Sequence, residues 1–179
     1  MSMIDGQLRD VVQTGSSGVT TDQVERSVVS KNGEAKAFFA AMGALRAGAD
    51  PDRVGLWARF GRALGVVLQL QSDRYELFHA EEAQDLIQGT RTLQVAIAME
   101  MMDSDSRTDF LRLLQTATTE REARDEVVGI LRHPRYAVPW TRVVKRWSSD
   151  ALDALDSCDA QEPWGEWLRE LVTSNTPAC

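Results

Sequence analysis

Apolar residues recur along this chain three or four positions apart, and no stretch alternates apolar with polar residues long enough to call for a strand. The pattern predicts an all-α fold. A short first helix over residues 3–13 would align Ile4, Leu8, Val11 and Val12, and it stops at the small-residue loop Thr14-Gly15-Ser16-Ser17-Gly18. Thr21 is the expected N-cap of the next helix, with Glu25 near capping-box distance and Val24, Val28 and Val29 on one side. That pattern breaks around Lys31-Asn32-Gly33 and resumes through Phe38, Phe39, Met42 and Leu45. Gly48-Ala49-Asp50 should end this helix, and Pro51 suits the first turn of a third long helix running to about residue 78. Beyond it, EEAQDLIQGTRT reads as a charged connection and TLQVAIAMEMM as a short apolar helix ending in the polar turn MDSDSRTD. Further helices are expected near 107–116, 119–132, 138–157 and 162–173, with His133-Pro134 separating the second of these from the third.

The third long helix carries an anomaly. In GRALGVVLQLQSDRYELF, residues 61–78, an apolar run holds Gln69, Asp73 and Glu76 at i, i+4 and i+7, on one helical face that Arg62 and Gly65 extend upstream. Two acids one turn apart, beside an amide, can hold Mg²⁺ when a phosphorylated ligand completes the coordination, because this ion prefers a few carboxylates with water and phosphate oxygens. A diphosphate would also need cations, for which Lys31, Arg91 and Arg74 are candidates. The bland alternative is a stripe of acids facing solvent.

Bulk properties narrow the field. A chain of 179 residues suits one domain, and 43% hydrophobic with 26% charged residues describes a sequence that folds. A net charge of −7 opposes nonspecific nucleic-acid binding, and the cluster Arg142, Lys145, Arg146 reads as a solvated helix face. No apolar stretch approaches the roughly 20 residues that span a bilayer, and no secretory signal pattern opens the sequence, so a cytoplasmic location is expected. Cys158 and Cys179 do not suggest a structural disulfide, nor His79 and His133 a metal cluster. Trp57, Trp140, Trp147, Trp164 and Trp167 lie at helical spacings and are expected in core or rim packing.

An ordered series of short motifs adds a family likeness. GQLRD (6–10), KNG (31–33), GALRAGAD (43–50), GRALGVVLQLQSDRYE (61–76) and DLIQGTRTL (85–93) together resemble the second half of a trans-isoprenyl diphosphate synthase. In that family the matching signals read GQxxD, K-T-G, GALLAGA, a G-x-x-x-G-x-x-x-Q helix entering the second aspartate-rich motif DDxxD, and DLxxGKxTLP. The resemblance implies an all-α bundle around a deep cavity, where two aspartate-rich motifs bind an allylic diphosphate through Mg²⁺ and isopentenyl diphosphate adds to the resulting cation. It places Asp73 and Glu76 as metal ligands, Lys31 and Arg91 as diphosphate contacts, and Gln7, Asp10, Gln69 and Ser72 in supporting positions.

The departures carry as much meaning. Ser72 stands where the first acid of DDxxD belongs, Glu76 adds a methylene, Asn32 replaces threonine, Arg91 replaces lysine and Gln94 replaces proline. No DDxxD lies upstream of Gln7. The expectation is therefore a single truncated isoprenoid-synthase-like helical domain over 1–179, with a loop at 15–21 and a disordered tail at 174–179. It would be inactive alone and serve as a regulatory or complementary subunit of a prenyltransferase complex, in a homo- or hetero-oligomer with a chain carrying the amino-terminal half-site. An active short-chain prenyltransferase, or a fragment of one, and a non-catalytic helical scaffold are the alternatives.

Overall fold

The computed structural model describes residues 18–79 and 83–178, and among these every regular element is helical. The expected helix at 3–13, with Gln7 and Asp10, lies outside the described residues, as does Cys179. In order, α1 is Thr21–Val28, a π-helical turn covers Val29–Gly33, α2 is Glu34–Arg46 and α3 is Pro51–His79. They are followed by α4 (Gln84–Ile87), α5 (Leu93–Met101), α6 (Ser104–Thr116), α7 (Arg121–Leu131), α8 (Pro134–Ser157) and α9 (Trp164–Ser174). The contacts divide the described chain into two compact units, one of residues 28–71 with 142–178 and the other of residues 18–27 with 72–141.

Within the first unit, the interruption at Lys31-Asn32-Gly33 is the π turn itself, which widens the helix by one residue without ending it. The core gathers Phe60, Ala63 and Leu64 of α3, Ala151, Ala154 and Leu155 of α8 and Val172 of α9, with Trp57 and Trp147 packed at its border. The turn into α3 follows its sequence signals. Gly48 adopts φ 78°, its N–H and that of Ala49 donate to the carbonyls of Leu45 and Ala44, and the Asp50 carboxylate accepts from Arg53 N at 2.9 Å. These are a Schellman ending and an N-cap, with proline at the first helical position.

The apolar positions of α2 lie on its outside. Phe38, Phe39 and Leu45 are 61%, 64% and 59% exposed, whereas Ala37 and Ala44 are buried. The cause is close helix approach: Gly61 and Gly65 of α3 lie directly against the backbone around Lys36 and Asn32, so only small residues fit the inner side. Nor is the expected carboxy-terminal tail loose over its described residues. The Asn175 carbonyl accepts from Gln71 Nε2 at 2.6 Å, and Thr176 Oγ1 donates to the Val172 carbonyl and bonds with Ser148 Oγ, each at 2.8 Å.

In the second unit α5 is the central rod. Leu93 through Met99 are all buried, so the helix has no polar side. Leu77, Leu86, Phe110, Leu114, Val127 and Leu131 belong to the same core. The α1 cap is Thr20 rather than Thr21: Gln23 N donates to Thr20 Oγ1 at 3.2 Å and Thr20 N donates to Gln23 Oε1 at 2.9 Å, a reciprocal capping box. Thr21 instead donates from its N–H and its hydroxyl to the Glu100 carboxylate, both at 2.7 Å. Helix α6 begins three residues earlier than expected because the Asp103 carboxylate accepts from Asp105 N and Ser106 N. Helix α8 begins at Pro134 and continues through Pro139, so His133-Pro134 is its start and not a gap before residue 138.

Candidate functional site

The polar seam of α3 exists as a continuous helical face. Because α3 is unbroken from Pro51 to His79, Gln69, Asp73 and Glu76 keep their i, i+4, i+7 spacing. All three are half-buried, and Ser72 is exposed. Upstream, the residues that seemed to extend the seam have other duties. Arg62 donates from Nε and Nη2 to the two carboxylate oxygens of Glu34 at 2.8 and 3.0 Å, and Gly65 lets α3 approach the Asn32 carbonyl. The Arg62 hydrogen bond holds the Glu34 carboxyl below the ordinary glutamate range, and Glu34 in turn raises the Arg62 guanidinium.

Glu76 is committed to the fold as well. Its Oε1 accepts from Gln84 N at 2.8 Å, capping α4 where Ala83 turns through a left-handed φ of 47°. Asp73 lines a narrow crevice, too tight for a water molecule, with Arg74, Leu77, Thr92, Leu93, Gln94 and Trp140. Arg74 is packed between rings, its guanidinium carbon 4.6 Å from the Trp140 centroid and 5.1 Å from that of Phe78. Burial lowers its pKa from the usual arginine value.

Lys31 sits half-buried in the π turn, in the first unit. Arg91 lines a different and larger opening, a cleft of about 420 Å³ bounded also by Gly89, Thr108, Leu111, Arg112, Gln115 and Thr118. Its Nη1 donates to the Gly89 carbonyl at 3.3 Å, and burial again lowers its pKa. Asp73 and Arg91, both in the second unit, thus line separate openings with no lining residue in common.

Among the described residues no three of His, Cys, Asp and Glu come together in a way that could hold a metal ion. With Ser72 in place of an acid and Glu76 used as a helix cap, the described residues do not by themselves fit a complete Mg²⁺ site. Cys158 is buried, and burial raises its thiol, which removes it from consideration as a nucleophile. No helix is long and apolar enough to cross a membrane among the described residues.

Sequence reasoning passed over Thr92 and Gln94 as buried polar residues lining the same crevice as Asp73. A lone amide inside the otherwise apolar TLQVAIAMEMM was the available signal.

Comparison with known proteins now bears on this arrangement. The chain is 23% identical over 173 residues to a short chain isoprenyl diphosphate synthase of Methanothermobacter thermautotrophicus, covering 90% of this chain and 52% of that protein. Its fold matches a decaprenyl diphosphate synthase from Rhodobacter capsulatus with a TM-score of 0.83 at 17% identity, over 97% of this chain and 55% of the other. A geranylgeranyl pyrophosphate synthase from Corynebacterium glutamicum, solved with calcium and isoprenyl diphosphate, gives 0.81 at 25% identity, again over 97% and 55%. The chain therefore spans about half the length of the relatives it matches. The profile of the polyprenyl synthetase family matches residues 1–131, most of the sequence, and the chain belongs to that family.

Proposed function

We propose that these 179 residues form one half-site of a prenyltransferase, incompetent for condensation alone and completed by polypeptide outside them, whether another chain or a further part of the same protein. The observation that carries this reading is the depleted acid set on α3: Ser72 is exposed and uncharged, and a Glu76 oxygen caps α4. Breaking the bond between an allylic carbon and its diphosphate leaves the charge on the departing oxygens. Catalysis then consists of positive charge placed beforehand around that group. Asp73 and Glu76 are themselves negative and would oppose the departing anion unless cations stood between. Among the described residues no group of three or more His, Cys, Asp and Glu is placed to hold such a cation.

The outward apolar face of α2 supports the same reading. Phe38, Phe39, Met42 and Leu45 are exposed at helical spacing, and a patch of that kind marks a surface that another polypeptide covers. In this reading the chain contributes Asp73 and Glu76, while the opposing carboxylates that complete a Mg²⁺ site come from the completing polypeptide.

A second reading, an active short-chain prenyltransferase, is favoured by what the Methanothermobacter relative is called. One experiment separates the two: labelled isopentenyl diphosphate, an allylic diphosphate primer and Mg²⁺ are incubated with the purified chain. The half-site reading expects no labelled prenyl product, and product formation above a no-protein control supports the second.

A further inference from the structure

The cleft beside Arg91 lies wholly within the second unit and is built from two pieces of chain. Thr108, Leu111, Arg112 and Gln115 fall at i, i+3, i+4 and i+7 and so share one face of α6, while Gly89 and Arg91 come from the connection between α4 and α5. At about 420 Å³ the space falls within the roughly 300–1,000 Å³ typical of small-molecule sites. None of its lining residues borders the crevice beside Asp73, so it stands apart from the polar seam.

The lining sorts by chemistry. Thr108 Oγ1 donates to the Ser104 carbonyl at 2.8 Å, and Thr118 Oγ1 donates to the Gln115 carbonyl at 2.7 Å. Both hydroxyl protons are therefore used locally, and donation to a ligand falls to Arg91, Arg112 and the Gln115 amide. Leu111 and Leu114 supply apolar wall. The charged side chains lining the cleft are both arginines, in a chain whose net charge is −7. Arg91 is half-buried, and its bond to the Gly89 carbonyl uses one of five guanidinium donors. Arg112 pairs with Asp109 at 2.9 Å, but the two side chains are 75% and 76% exposed, and a pair so exposed holds its members weakly. Arg112 can therefore turn to a ligand at little cost.

We propose that this cleft binds a phosphate monoester carried on a short apolar group, with the phosphate held by Arg91 and Arg112 and the apolar group along Leu111 and Leu114. Two guanidinium charges match the charge of about −1.5 to −2 that such a phosphate carries at neutral pH, and the guanidinium fork fits paired phosphate oxygens. A carboxylate brings only one charge. A bare phosphate would leave the leucine wall uncovered. The assignment does not depend on the half-site reading, because it concerns binding at a place other than the seam.

The test titrates n-butyl phosphate into the full chain and follows the backbone amides by NMR. Saturable shifts are expected at Gly89, Arg91, Leu111 and Gln115. Inorganic phosphate and pentanoate should each bind at least about tenfold more weakly, since one lacks the apolar group and the other the second charge. Arg112→Gln, at an exposed position where folding is not at risk, should weaken butyl phosphate at least about tenfold. Arg59→Gln, an exposed arginine of α3 in the first unit, should leave the affinity unchanged.

Shifts that never saturate, or that centre on Asp73 and Glu76, overturn the site. Unchanged affinity in Arg112→Gln overturns it as well. Equal binding of pentanoate or of inorganic phosphate overturns the ligand class. None of these outcomes bears on turnover, so a failure here leaves the half-site reading standing.

Discussion

Gly65 of α3 faces the backbone carbonyl of Asn32 so closely that a Cβ in its place would sit 2.6 Å from that oxygen. The neighbouring Gly61 is crowded in the same way by the Lys36 carbonyl. This contact turns the G-x-x-x-G pattern into a packing device within the first unit, one that seats α3 against the π turn and the start of α2. Gly65→Ala should destabilise the chain by about 1–3 kcal/mol, the range for overpacking a close contact. Gly55, on the same helix but with nothing within 4 Å of a Cβ, is the control. Gly55→Ala should be neutral or stabilise by up to about 1 kcal/mol. Urea denaturation of both variants checks the contrast, and equal effects would contradict the packing account.

The two-pronged pair between Arg62 and Glu34 sets a pH dependence. Because the folded Glu34 carboxyl titrates below its ordinary value of 4.5, it binds its proton more readily in the unfolded chain. The pair's contribution is therefore full above about that value and is lost as pH falls through the lower folded pKa. Both side chains are about one-third exposed, so solvent screening limits the contribution to about 1 kcal/mol. In pH-dependent melts, Arg62→Met should be less stable than wild type at neutral pH, and the gap should narrow below pH 4.5. A gap that widens on acidification would contradict the pairing.

Glu100 holds the first turn of α1 through the N–H and hydroxyl of Thr21. Glu100→Ala removes both bonds and should cost about 1 kcal/mol. Hydrogen exchange offers the sharper readout: amides 21–24 should lose protection, while those in α5 itself stay unchanged.

The exposed face of α2 makes the opposite kind of prediction. Phe38→Ser with Leu45→Ser should leave the thermal stability of the isolated chain nearly unchanged, within about 0.5 kcal/mol, since neither side chain is buried. It should abolish assembly with the completing polypeptide. Sedimentation of this double variant alongside wild type measures the assembly. A large loss of stability would place this face inside the fold.

Much of this fold was legible because its signals are local. The end of α2, the start of α3 and the 29-residue length of α3 follow from Gly48, Asp50, Pro51 and an unbroken helical period. The orientation of α2 was hidden for a physical reason. Hydrophobic periodicity registers Phe38, Phe39 and Leu45, but the buried face was chosen by size, since Gly61 and Gly65 admit only Ala37, Ala44 and backbone. Of the candidate site, the seam was legible as a spacing. Its partners were not: that Glu76 caps α4, and that Arg74 lies under Trp140 beside Thr92 and Gln94, depends on contacts far apart in sequence.

Incorporation of labelled isopentenyl diphosphate by the purified chain, with an allylic primer and Mg²⁺, probes the half-site most directly. No labelled product should form with the chain alone, and product should appear once the completing polypeptide is present. Turnover by the isolated 179 residues, lost on Asp73→Asn, would show that the site is already whole and contradict the account.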